Sequence, residues 1–134
     1  YCALVPSLEM IAQKSGNRKA AVLASTLDTA IGSYLENARY PSRKVNEIDN
    51  RGSTYYLAFY WAQALAAQTD DLTLSQRFQD IAQQLKTHES TITSELLAAQ
   101  GQPVDLGGYF RPNQQAASEA MRPSQTFNAI IDDM

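Results

Sequence analysis

Apolar residues recur at three- and four-residue intervals along most of the chain, the spacing that places them on one face of an α-helix. Leu4, Leu8, Ile11 and Ala12 make a first set, with Pro6 tolerated in the opening turn. Lys14 stands in the last turn, and Gly16 can end that helix as a left-handed cap. Asn17 then offers a side-chain oxygen to start a second helix, whose stripe is Ala20, Leu23, Ala24, Leu27, Ile31, Tyr34 and Leu35. Its opposite face carries Arg18, Lys19, Ser25 and Asp28, and it must end before Pro41, which pushes the preceding residue out of helical geometry.

Farther along, Gly52-Ser53 reads as a break followed by a cap, and Tyr55 through Gln68 as a strongly apolar helix. Leu57, Trp61, Ala64 and Leu65 share one face while Tyr56, Phe59 and Tyr60 enrich the others, which predicts burial on more than one side and a place at the centre of the core. Those aromatics could stack on a base or cofactor ring, but packing explains them more simply. Thr69-Asp70-Asp71 caps another run and sets carboxylates at its positive end. The stripe Leu74, Phe78, Ile81, Leu85, His88, Ile92, Glu95/Leu96 and Ala99 fits one long helix or two with a bend near Thr87. Gly101, Pro103 and Gly107-Gly108 punctuate an irregular connection. Two short helices follow, one through Met121 and one after Arg122-Pro123-Ser124. Nothing alternates at period two for long enough to make a strand, so the reading is all-α, several packed helices.

The 134 residues fit one domain, and an apolar content of 44% suffices for a core. The net charge of −3 argues against a general nucleic-acid binder. No apolar run reaches the roughly 18 residues of a membrane helix, so no membrane partner is expected. Cys2 is the only cysteine, which excludes an internal disulfide and a multi-cysteine metal site and suits a reducing cytoplasm. The sole histidine, His88, is read as a capping or core-edge residue rather than a ligand. The chain opens on Tyr1 and is expected to be a piece of something longer.

Charge is uneven. Residues 1–60 hold seven basic and five acidic side chains, while residues 61–134 hold four and nine. The basic half contains the stretch least explicable by packing, Pro41-Ser42-Arg43-Lys44-Val45-Asn46-Glu47-Ile48-Asp49-Asn50-Arg51-Gly52-Ser53. Guanidinium forks on a loop between rigid elements match phosphate or carboxylate oxygens, so Arg43 and Arg51 are candidate anion ligands. A solvated charged loop is the plainer alternative. For Arg51 a structural pairing with Glu47 or Asp49 competes, and Lys44 is a rim charge at most. A phosphate-cradling glycine loop, an HExxH helix and a nucleophile elbow are all missing, and no carboxylate pair has diagnostic spacing. From residues alone the chain is a helical module with one basic loop, suited to binding.

Four strings in order, PSRKVNEIDNRGS, YYLAFYWAQALAAQT, QPVDLGGYFRP and AMRPSQTFNA, resemble the C-terminal part of the monomeric NADP-dependent isocitrate dehydrogenases. The resemblance implies a segment of a much larger two-domain α/β enzyme that oxidatively decarboxylates isocitrate to 2-oxoglutarate, using NADP and Mg²⁺ or Mn²⁺. Residues 1–134 would then be one helical segment of its larger domain, packed against the N-terminal part of the same chain and inactive alone. The resemblance carries an arginine for the 2′-phosphate of NADP onto Arg43, with Arg51 second. It carries no catalytic residue, isocitrate contact or metal ligand onto this segment. Members of that family often have histidine where Thr54 stands here. A segment cut from such a domain is expected to expose apolar surface, particularly around Tyr55–Gln68, and to self-associate. The rival reading is a stand-alone helical interaction module whose basic loop meets an acidic protein.

Overall fold

The computed structural model describes residues 2–100 and 114–134. Seven helices run in the order α1 (Leu4–Ser15), α2 (Arg18–Glu36), α3 (Asn50–Ala67), α4 (Leu72–Thr87), α5 (Glu89–Ala98), α6 (Gln114–Met121) and α7 (Gln125–Asp132), and the described residues contain no strand. The glycine-rich connection expected at 101–113 lies outside the described residues.

Helix α3 is the hub. It packs against α2 on one side and α4 on another, with α5 also in contact. Tyr55, Tyr56, Leu57, Phe59, Ala62 and Leu65 are all buried, as expected for a helix covered on several faces. One cluster joins Tyr55, Tyr56, Phe59 and Ala62 to Ile81 and Leu85 of α4, Ile92 and Leu96 of α5, and Ile130 of α7. A second gathers Val5, Leu27, Ala30 and Leu57, and the Tyr60 ring touches both. The fully buried Tyr55 keeps its hydroxyl satisfied by donating to the Leu85 carbonyl at 2.6 Å. Trp61 donates its indole N–H to Thr26 Oγ1 at 3.0 Å, tying α3 to α2.

The helix ends follow local chemistry. Gly16 adopts φ +63 after α1, and Asn17 Oδ1 accepts from the Ala20 amide at 3.2 Å. Asp71 caps α4 by accepting from the Leu74 amide at 3.0 Å. The bend falls at His88, which ends α4 and starts α5 through its backbone. Helix α1 departs from expectation. Val5 and Leu8 are turned inward, while Leu4 and Ile11 are 40% and 50% exposed. α1 meets only α2 closely, so its covered stripe is narrow. The apolar surface expected around Tyr55–Gln68 is largely covered, because α2, α4 and α5 enclose that helix.

Helix α7 is held to α5 by Glu95. Its carboxylate accepts from Ser124 Oγ at 2.5 Å and from Thr126 Oγ1 at 2.7 Å, while Ser124 Oγ also accepts the Phe127 amide at 3.1 Å. Burial works to raise the Glu95 pKa, but the Ser124 and Thr126 hydrogen bonds and the nearby His88 outweigh it and hold it below the usual glutamate value. A folded value below the unfolded one stabilises at pH above about 4.3 and is lost as pH falls through the folded value. Thermal unfolding followed against pH should therefore fall less steeply in acid for Glu95→Gln than for the parent chain.

Candidate functional site

The loop between α2 and α3 begins with a Schellman turn that lacks its usual glycine. The Arg39 amide donates to the Tyr34 carbonyl at 3.0 Å and the Ala38 amide to Leu35 at 3.1 Å. Ala38 is left in the left-handed region at φ +51, a position that favours glycine. Leu35, expected on the buried stripe, is therefore in the unwinding turn and 58% exposed.

Arg39 then anchors the loop. Its guanidinium carbon lies 4.1 Å from the centre of the Tyr56 ring, and its Nε donates to Tyr60 at 3.4 Å. The Tyr60 hydrogen bond raises the Arg39 pKa further, keeping the cation charged. Ser53 Oγ donates to the Arg39 carbonyl at 2.6 Å. Tyr56 in turn donates to Glu89 Oε1 at 2.9 Å, and burial together with that bond pushes its pKa up to about 12.

Across the loop, the Ser42 amide donates to the Ile48 carbonyl at 2.7 Å and Ser42 Oγ to Glu47 Oε2 at 2.8 Å. Asn46 turns the chain at φ +70. At the far end Asp49 caps α3, accepting at one carboxylate oxygen from the amides of Arg51 and Gly52, both at 3.0 Å. Helix α3 thus starts at Asn50 and runs through Gly52-Ser53 rather than breaking there. Gly52 packs closely on the loop: an added Cβ would meet Ile48 Cγ1 at 3.0 Å, so that side chain would have to shift.

The two candidate arginines are in different circumstances. Arg51 is committed: Nε and Nη2 donate to Asp49 Oδ2 at 2.8 and 2.7 Å, and Nη1 to the Ala120 carbonyl at 2.8 Å. The pairing is with Asp49, whereas Glu47 serves Ser42. Arg43 is exposed, with no hydrogen bond or ion pair to its guanidinium among the described residues. Lys44 beside it is exposed too, its amide donating to Ser42 Oγ at 3.1 Å. A fork donor with unspent N–H groups thus stands on a loop pinned at both ends.

A cavity of about 160 Å³ lies beneath the loop, lined in part by Arg39, Asp49, Tyr56 and Gln100. Another of about 200 Å³, walled by Leu23, Trp61, Phe78 and Leu85, has an apolar lining with nothing to hold an anion. Among the described residues no group of three or more His, Cys, Asp or Glu side chains converges as metal ligands would, and no helix is long and apolar enough to cross a membrane. Thr54 hydrogen-bonds the Asn50 carbonyl at 2.8 Å within α3.

An all-helical segment presenting a pinned cationic loop is the class of structure so defined. The family model for monomeric isocitrate dehydrogenase matches residues 1–132, and the chain belongs to that family. It is 56% identical over 131 residues to an NADP isocitrate dehydrogenase of Azotobacter vinelandii, covering 98% of this chain and 18% of that protein. Similar relatives are the second NADP isocitrate dehydrogenases of Colwellia maris, 53% identical, and Mycobacterium tuberculosis, 50% identical, each again matched over 98% of this chain and 18% of its own length. The chain therefore spans under a fifth of these relatives, and none of them supports the stand-alone interaction module.

Ala38→Gly should relieve the left-handed strain and stabilise the chain by about 0.5–1 kcal/mol, read as a higher denaturant midpoint with an unchanged slope.

Proposed function

We propose that this chain is the part of an NADP-dependent isocitrate dehydrogenase that receives the 2′-phosphate of the cofactor, with Arg43 as its ligand. The observation that carries this reading is the unspent Arg43 guanidinium on a loop held by hydrogen bonds at Ser42, Asp49 and Ser53. A phosphate dianion accepts two parallel N–H bonds from such a fork. Arg51, with its donors spent on Asp49 and Ala120, serves the site by holding the loop and by its charge. The chemistry that bound NADP⁺ supplies is acceptance of the substrate hydride; the residues here grip the opposite end of the dinucleotide. On this reading the isocitrate contacts and the Mg²⁺ or Mn²⁺ ligands come from the rest of the enzyme. Residues 1–134 form a C-terminal portion of its larger domain, and the compartment is the cytoplasm. Alone, the segment turns over no isocitrate.

Exchanging the 131 matched residues of the Azotobacter vinelandii enzyme for this chain gives a full-length protein in which the reading can be measured. One charge-assisted contact contributes about 1.5–3 kcal/mol, so Arg43→Ala should raise the KM for NADP⁺ by about 10- to 150-fold and leave that for NAD⁺ unchanged. Arg43→Lys, which keeps charge but loses the fork, should fall between. Equal effects on both cofactors would overturn the assignment.

The separate segment exposes Leu4, Met10 and Ile11 along α1, and we propose that this surface drives self-association. Sedimentation should show dimers or larger species at high concentration; a compact monomer would refute this.

A further inference from the structure

From beyond the loop, α5 reaches back to it through one side chain. The Gln100 amide stands just past the end of that helix and meets the loop's backbone twice. Its Oε1 accepts from the Asn46 amide at 2.7 Å, and its Nε2 donates to the Glu47 carbonyl at 2.5 Å. A primary amide bound in this way imitates a neighbouring strand, satisfying one donor and one acceptor of the same stretch of main chain. The contact falls where the loop needs support most. Asn46 is in the left-handed region in the middle of the loop, and its peptide lies three residues from Arg43. Arg39 on Tyr56, Ser53 on Arg39 and Asp49 on the start of α3 anchor the ends of the loop, and Ser42 ties it internally to Glu47 and Ile48. Among the described hydrogen bonds, the Gln100 clamp ties the middle of the loop to the turn that follows α5, across 53 and 54 residues of sequence.

We infer that Gln100 is a positioning residue for cofactor selectivity: by fixing the Asn46–Glu47 backbone it holds the tip from which Arg43 projects, so that the guanidinium is already placed when a 2′-phosphorylated dinucleotide arrives. The inference rests on the Arg43 reading. It adds that selectivity depends on a neutral side chain that touches neither ligand nor arginine, because a loop ordered in advance loses less entropy on binding.

The test uses the full-length exchanged enzyme with NADP⁺ and NAD⁺ as the two probes. Gln100→Ala removes both hydrogen bonds and should raise the KM for NADP⁺ by about tenfold, with kcat and the KM for NAD⁺ unchanged. Gln100→Glu sets a carboxylate oxygen against the Glu47 carbonyl and adds negative charge at the loop, and should raise the KM for NADP⁺ at least as far. In an Arg43→Ala background, Gln100→Ala should add nothing, because the group it positions is gone. In the present chain, Gln100→Ala should speed hydrogen exchange at the Asn46 amide while α3 amides keep their protection. An unchanged KM for NADP⁺ in Gln100→Ala, alongside a raised one in Arg43→Ala, would overturn the positioning role and spare the phosphate site. Equal rises for NADP⁺ and NAD⁺ would mean a general structural role and would overturn it as well. If Arg43→Ala itself has no effect, the phosphate site is wrong, and the selectivity role of Gln100 falls with it.

Discussion

The structure depends on where α3 begins, and that point is set by one carboxylate. Asp49 uses one oxygen to accept the first amides of the helix and the other to hold the Arg51 guanidinium. The Arg51 fork then reaches the Ala120 carbonyl at the end of α6, so the start of the central helix and the C-terminal helices are fixed together. A cap typically contributes about 1 kcal/mol. Here its effect extends further, because a helix that started later would free Gly52 from Ile48 and move the anchor Ser53 provides to Arg39.

From that point the molecule divides by function. Below the cap, α3 buries aromatic rings against α4, α5 and α7 and aliphatic side chains against α1 and α2. Above it, a short loop is held by several backbone hydrogen bonds while Arg43 and Lys44 stay exposed. Arg39 joins the two regions: its cation rests on a core tyrosine, while its carbonyl is a loop anchor. The segment matches under a fifth of its relatives' length, so a loop ordered largely by local contacts is informative.

Much of the fold was legible because helical periodicity is a local property. The central helices α3 and α4, the Gly16-Asn17 junction and a bend close to Thr87 follow from residues within a turn or two of one another, whereas α2 also buries Val22, Thr26 and Ala30, off its expected stripe. The start of α3 was misread because Gly-Ser resembles a break, although Asp49 was visible three residues before Gly52. The face of α1 was misassigned by about one position, since Val5 and Leu4 are both apolar and only the partner helix decides between them. In the site, the cationic loop and the competing structural role of Arg51 were readable from residue type. The stacking of Arg39 on Tyr56 and the Gln100 clamp were not, because they join residues 17 and more than 50 positions apart that share no motif.

Trp61 gives the chain a property that its packing role does not announce. It is the only tryptophan, and its indole is half-buried with its N–H bound to Thr26. Ten residues of helix separate it from Arg51, about 15 Å at the usual rise. The protein therefore carries a single tryptophan emitter, seated between α2 and α3. Its emission reports the integrity of the packing between those two helices. The packing of the central helix can thus be followed without an introduced label.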